Sequence, residues 1–132
     1  MKISKYSKNH IMRGAADWEV PKDYFDPIYN YLIHGFEPGS FFSAVLANDF
    51  YRAIQHSHPA NTIPALKKLT GWIQSTMGHG VFWGSKEVVQ NWLKMSSQER
   101  REKLELLNLV YSEQDEIVMV IKDQRTVEPM LW

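Results

Sequence analysis

The sequence predicts a mainly α-helical chain folded as a single compact domain, 1–132, of about five short helices with a small β-hairpin near the C-terminal end. Three observations carry that prediction. The 132 residues are 44% hydrophobic and 23% charged, globular proportions in a chain long enough to bury a core without a disulfide or structural metal. Ser40, Thr62, Ser85 and Ser96 each precede a stretch whose apolar residues recur every three or four positions, which is the signature of a capped amphipathic helix. Only Ile117-Val118-Met119-Val120-Ile121 runs apolar without that period, and its β-branched content favours a short strand.

Residues 1–16 carry Lys2, Lys5, Lys8 and Arg13 with no acid before Asp17, the pattern of a flexible basic arm. Asp26-Pro27 offers a capping carboxylate and a first-turn proline, so the first helix is expected over 27–34, begun as early as Pro21, with Gly35 as its left-handed stop. His34 would then be a cation favoured at a helix C-terminus. Tyr24, Tyr29 and Tyr31 crowd this short helix, and their surplus suggests a surface between subunits.

The second helix is expected to run unbroken from its Ser40 cap to just before Pro59, with Phe42, Leu46, Phe50 and Ala53 as its buried stripe. Thr62 caps the third, which buries Leu66, Leu69, Ile73 and Met77 and stops at Gly78-His79-Gly80. Ser85 caps the fourth, with Val88, Val89, Trp92 and Leu93 facing inward. Ser96 and Glu99 have capping-box spacing for a fifth helix lined by Leu104, Leu107 and Tyr111. The strand at 117–121 would turn at residues 122–124 into the hairpin. Trp72, Trp83 and Trp92 are expected in the core. Trp18 and Trp132 fit an interface, and the apolar Met130-Leu131-Trp132 end is expected to dock on the domain or on a neighbour.

Composition excludes some chemistry. With no cysteine there is no thiol nucleophile, thiolate metal ligand or disulfide. Fifteen Lys+Arg balance fifteen Asp+Glu, so broad neutralisation of nucleic-acid phosphates is not expected. No apolar run suits a secretion signal or a membrane span, and a cytoplasmic protein is expected. His34, His56, His58 and His79 lack metal-ligand spacing, so no metal or cofactor is expected. Gly-x-Ser-x-Gly is absent, no two acids show the spacing of an acid–base pair, and catalysis has no support beyond the weak option of a hydrolase using Asp49 and a histidine.

Binding has better support. Pro38-Gly39-Ser40-Phe41 and Trp83-Gly84-Ser85-Lys86 each present free backbone amides at a helix start, where phosphate or carboxylate groups are attracted. In the second, the Trp83 indole suits a nucleobase and Lys86 suits a phosphate. Asn48 and Asp49 interrupt an apolar helical surface beside Arg52, and a polar group at that border must be hydrogen-bonded or solvated. Gly39, Ser40, Asn48, Asp49, Arg52, Trp83, Gly84, Ser85 and Lys86 are therefore the expected ligand-binding residues, provided that the two glycine-flanked openings converge in space.

Between Tyr31 and Trp92 the chain carries Gly35, Pro38, Gly39 and Phe41, then Ala44-Val45-Leu46 and Asn48-Asp49, then Asn61, then Trp83-Gly84-Ser85. This half of the chain resembles a family of small, uncharacterised proteins of tailed phages and prophages. The resemblance implies an accessory phage gene product. It leads to the expectation of a non-enzymatic, homo-oligomeric counter-defence protein that sequesters a small anionic ligand, such as a cyclic nucleotide used in host immune signalling. The alternative is a protein–protein module that occludes a host protein through exposed aromatics.

Overall fold

The computed structural model describes residues 1–59, 61–77 and 80–112, together with Gln114 and Ile117. Seven helices appear among them: α1 Lys5–Asp17, α2 Lys22–His34, α3 Ser40–Leu46, α4 Phe50–His56, α5 Ile63–Thr76, α6 Lys86–Lys94 and α7 Ser97–Leu106. The mainly helical class is as expected, and the helix number is not. Of the hairpin expected at 117–124 only Ile117 is described, and it is helical and not extended; residues 118–124 and the docking of Met130, Leu131 and Trp132 lie outside the described residues.

The expected flexible arm is instead α1. The Ser4 side chain caps it by accepting from the Ser7 amide, and Ser7, Ile11 and Ala15 are buried on one face. Their spacing of four puts them on one helical stripe, which Lys8 and Arg13 between them obscure in the sequence. α1 packs against α5.

The helix expected over 27–34 takes the earlier of its two expected starts, directly after Pro21, and contains Pro27. Pro27 is the sixth residue of α2, past the amides that have no intrahelical partner, so the helix goes without one bond there, to the Asp23 carbonyl. Gly35 ends α2 as expected, with φ 65° and its amide on the Tyr31 carbonyl at 3.1 Å. The extra turn gives α2 a wide apolar face, so Tyr24, Tyr29 and Tyr31 are all buried beside Ile28, Leu32 and Ile33. They are core residues, not the intersubunit surplus expected of them.

The long helix over 40–58 is broken. α3 ends at Leu46, Asn48 adopts the left-handed φ of 60°, and Asp49 caps α4 by accepting from the Arg52 amide at 3.2 Å. Asparagine tolerates that conformation and aspartate is a strong N-cap, so Asn48-Asp49 is a corner that lets α4 fold back on α3. Ser40 is not the cap of α3. Gly39 holds that position at φ 93° without a side-chain bond.

α5 and α6 begin as expected, with Thr62 accepting from the Ala65 amide and Ser85 from the Val88 amide. On α6, Val89 and Trp92 are buried while Val88 and Leu93 are half-buried. α7 shows the capping box but stops short of Tyr111, since Asn108 turns left-handed at φ 58° and the amides of Leu109 and Val110 both return to the Leu104 carbonyl.

The core joins all of these. The Tyr31 hydroxyl donates to the Phe82 carbonyl at 2.8 Å, and the Trp92 indole donates to the Tyr31 carbonyl at 3.0 Å. Burial alone pushes the Tyr31 phenol well above its ordinary value. Trp72, Trp83 and Trp92 are core residues as expected.

Candidate functional site

Three helices build one cleft. α3 supplies Ser40 and Ser43, one turn apart on the same face; α4 supplies Arg52 and His56 with their cap Asp49; Lys86 opens α6. Glu37 completes the rim of a cavity of about 290 Å³. The corner at Asn48 turns the α4 side chains back toward α3, and α3 packs against α6. The Gly84 amide fixes the second junction by donating to the Leu46 carbonyl at 2.7 Å.

Of the nine expected ligand-binding residues, Ser40, Asp49, Arg52 and Lys86 line this cleft. Trp83 does not. It is 9% exposed, its indole nitrogen donates to the Met77 carbonyl at 3.2 Å, and with Asn48 it borders a separate void of about 10 Å³. That space suits roughly one water molecule. Gly84 spends its amide on Leu46, and the Ser85 hydroxyl is the α6 cap. Gly39 is exposed, and a β-carbon there would meet nothing within 4 Å.

The cleft is charge-balanced at neutral histidine, with Arg52 and Lys86 against Glu37 and Asp49. Arg52 Nε lies 3.5 Å from Asp49 Oδ2, and both side chains are well exposed. Such a pair is worth little in water and leaves the guanidinium able to turn to a better acceptor. The Ser43 hydroxyl oxygen is buried with no hydrogen-bond partner among the described residues, although an unmade bond of a buried hydroxyl is costly. The arrangement therefore offers donors, from Lys86, Arg52 and Ser43, and acceptors, on Asp49 and Glu37, around one cavity, with Arg52 and Asp49 side by side. A nucleophile needs a base within hydrogen-bond reach, and among the described residues no base stands hydrogen-bonded to Ser40 or Ser43.

Sequence reasoning missed Glu37, Ser43 and His56 as members of this group. Ser43 follows Ser40 by three positions and His56 follows Arg52 by four, so each shares a helical face with a residue already singled out. No group of histidines and acids that would hold a metal occurs among the described residues. No described helix is long and apolar enough to cross a membrane.

His34 differs from expectation. Its Nδ1 lies 3.3 Å from the Met1 amino group, and the Arg100 guanidinium reaches the His34 carbonyl at 3.4 Å. Burial first, then the amino terminus, then Arg100 lower its pKa, so the expected gain of a cation at this helix end does not apply.

Compared with known proteins, the chain matches no family model, no curated protein and no solved structure.

Proposed function

We infer that the protein binds a small anionic ligand of mononucleotide size between α3, α4 and the start of α6, and that it sequesters this ligand without turning it over. The observation that carries the reading is the convergence of Ser40, Ser43, Arg52 and Lys86, drawn from three helices, on one cavity of about 290 Å³. That volume is at the small end of ligand pockets, so one chain suits a single phosphorylated nucleoside and is too small for a dinucleotide. Phosphate oxygens would accept from Lys86, Arg52 and the unpartnered Ser43 hydroxyl, while ribose or base donors would meet Asp49 and Glu37. Charge and hydrogen bonding, not indole stacking, would supply the affinity, since Trp83 is occupied in the core. The resemblance to small phage proteins supports a setting in the host cytoplasm, where capture of an immune signalling nucleotide by an oligomer would blunt a defence.

Thermal unfolding in the presence of cyclic and linear mononucleotides tests this, because a ligand that binds only the folded chain raises the midpoint with concentration. One member of the panel should do so, Lys86→Ala and Arg52→Ala should each remove most of the shift, and mass spectrometry should recover the ligand intact. A flat panel sinks the reading.

A second reading, occlusion of a protein partner, draws on α4. Tyr51 is 75% and Ile54 57% exposed, with Phe50 half out of the core beside them, and an apolar face on a short helix is costly to leave in water. A Tyr51→Ala, Ile54→Ala double variant that keeps nucleotide binding but loses a host protein or self-association would favour it.

A further inference from the structure

A larger cavity, of about 370 Å³, lies between α1, α5 and residues 107–111. Its floor is made of buried core side chains, Ile11, Trp72, Met77 and Leu109. Its rim belongs to α1, where His10, Arg13 and Asp17 lie on one face at three- and four-residue spacing. Gly14 falls in the same stripe, at a position where glycine weakens the helix.

The opposite wall is Tyr111, and it is fixed. Its amide donates to the Ser7 hydroxyl at 3.2 Å, its own hydroxyl lies 3.3 Å from His10 Nε2, and its ring centroid is 5.2 Å from that of His10. Ser7 is fully buried, so α1 and the segment after α7 share one rigid side of the cavity. Arg13 and Asp17 sit one turn apart as opposite charges, yet they make no ion pair with one another, and the only ion pairs among the described residues are those of Arg52, Lys68 and Arg101.

An apolar, aromatic-walled floor beneath one free cation and one free anion is complementary to a zwitterion with a flat apolar tail. We propose that this cavity binds an aromatic amino acid, with its ring against the half-buried Tyr111 and Leu107, its carboxylate on Arg13 and its ammonium on Asp17. This site is separate from the α3–α4–α6 cleft, so the two readings stand or fall independently.

Titration of the isotopically labelled full chain with L-tryptophan, tryptamine and indole-3-propionate, followed by amide chemical shifts, tests the proposal. L-Tryptophan should bind most tightly and shift amides at residues 10–17, 72–77 and 107–111. Losing one exposed charge contact costs about fivefold. Arg13→Leu should therefore weaken L-tryptophan and indole-3-propionate by that factor and leave tryptamine unchanged, while Asp17→Asn should weaken L-tryptophan and tryptamine and spare indole-3-propionate. Both positions are exposed, so the variants retain the fold. Equal affinity for all three probes, variants that do not discriminate between them, shifts mapping to Phe50, Tyr51 and Ile54, or no shift at about 10 mM probe would each overturn it.

Discussion

The Arg100 guanidinium lies against the α-carbon of Gly35, so closely that a β-carbon at position 35 would stand 2.6 Å from Nη1 and 2.7 Å from Cζ. Arg100 is 6% exposed, and no carboxylate pairs with it among the described residues. It donates instead to the Met95 carbonyl at the end of α6 and to the His34 carbonyl at the end of α2. Each helix C-terminus carries about half a negative charge, so two of them together supply the counter-charge that an acid would otherwise provide. The guanidinium thereby ties α2, α6 and α7 at a single point.

Gly35→Ala should destabilise the fold by about 2–4 kcal/mol, the sum of a left-handed alanine and a displaced guanidinium. Arg100→Leu should cost a similar amount, about 3 kcal/mol, by leaving two helix-end carbonyls without their donor. Urea unfolding measures both. A double variant that loses no more than either single one would confirm that the two positions act as one contact.

Tyr31→Phe removes the donor to the Phe82 carbonyl inside the core. The orphaned buried carbonyl should cost about 1–3 kcal/mol, read as a lower urea midpoint with an unchanged slope. An unchanged midpoint would show that Phe82 does not depend on this bond.

Stability should fall on acidification through His34. Its pKa is lowered in the fold, so the folded chain binds fewer protons than the unfolded one across that interval. The His34 contribution is intact above the ordinary histidine value of 6.5, declines as pH drops through that value, and levels off below the lowered one. In His34→Gln the loss over that window should shrink. If the two pH profiles of unfolding free energy run parallel from pH 7.5 to about 5, His34 is not the group responsible.

At the corner between α3 and α4, Asn48→Gly should be neutral or mildly stabilising and Asn48→Val destabilising by about 1–2 kcal/mol, because only the β-branched residue resists the left-handed conformation. Asp49→Ala should cost about 1 kcal/mol through the lost cap. Circular dichroism melting of the four proteins ranks them directly.

Helix starts were the most legible part of the fold. Thr62, Ser85 and Ser96 cap as their sequence positions indicate, since a cap depends on residues within one turn. Asn48-Asp49 is visible in the sequence as polar residues at an apolar border, which suggests a ligand contact within one helix. The same side chains that interrupt a helix face also cap a turn, and only the left-handed φ decides between them. α1 is hard to read because its narrow stripe of Ser7, Ile11 and Ala15 is matched in number by Lys5, Lys8 and Arg13. The sequence marks Ser40 and Lys86 by helix-start chemistry, Asp49 and Arg52 by an apolar border, and Trp83 as a core residue, whereas the indole bond to the Met77 carbonyl is a contact no local pattern encodes. Arg100 reads in sequence as one more solvated charge of α7; its role rests on carbonyls 5 and 66 positions away.

The Gly84 bond to Leu46 gives the cleft unequal jaws. Ser43 and Lys86 belong to segments clasped to each other across nearly forty residues of chain, and they form a stationary anvil. Arg52 and His56 hang from the other side of Asn48, on a helix placed by the turn at residues 47–49 and by the fully buried Ala53. Substitutions at Asn48, the one residue of that elbow outside the cleft lining, would therefore change the aperture and leave every lining side chain in place.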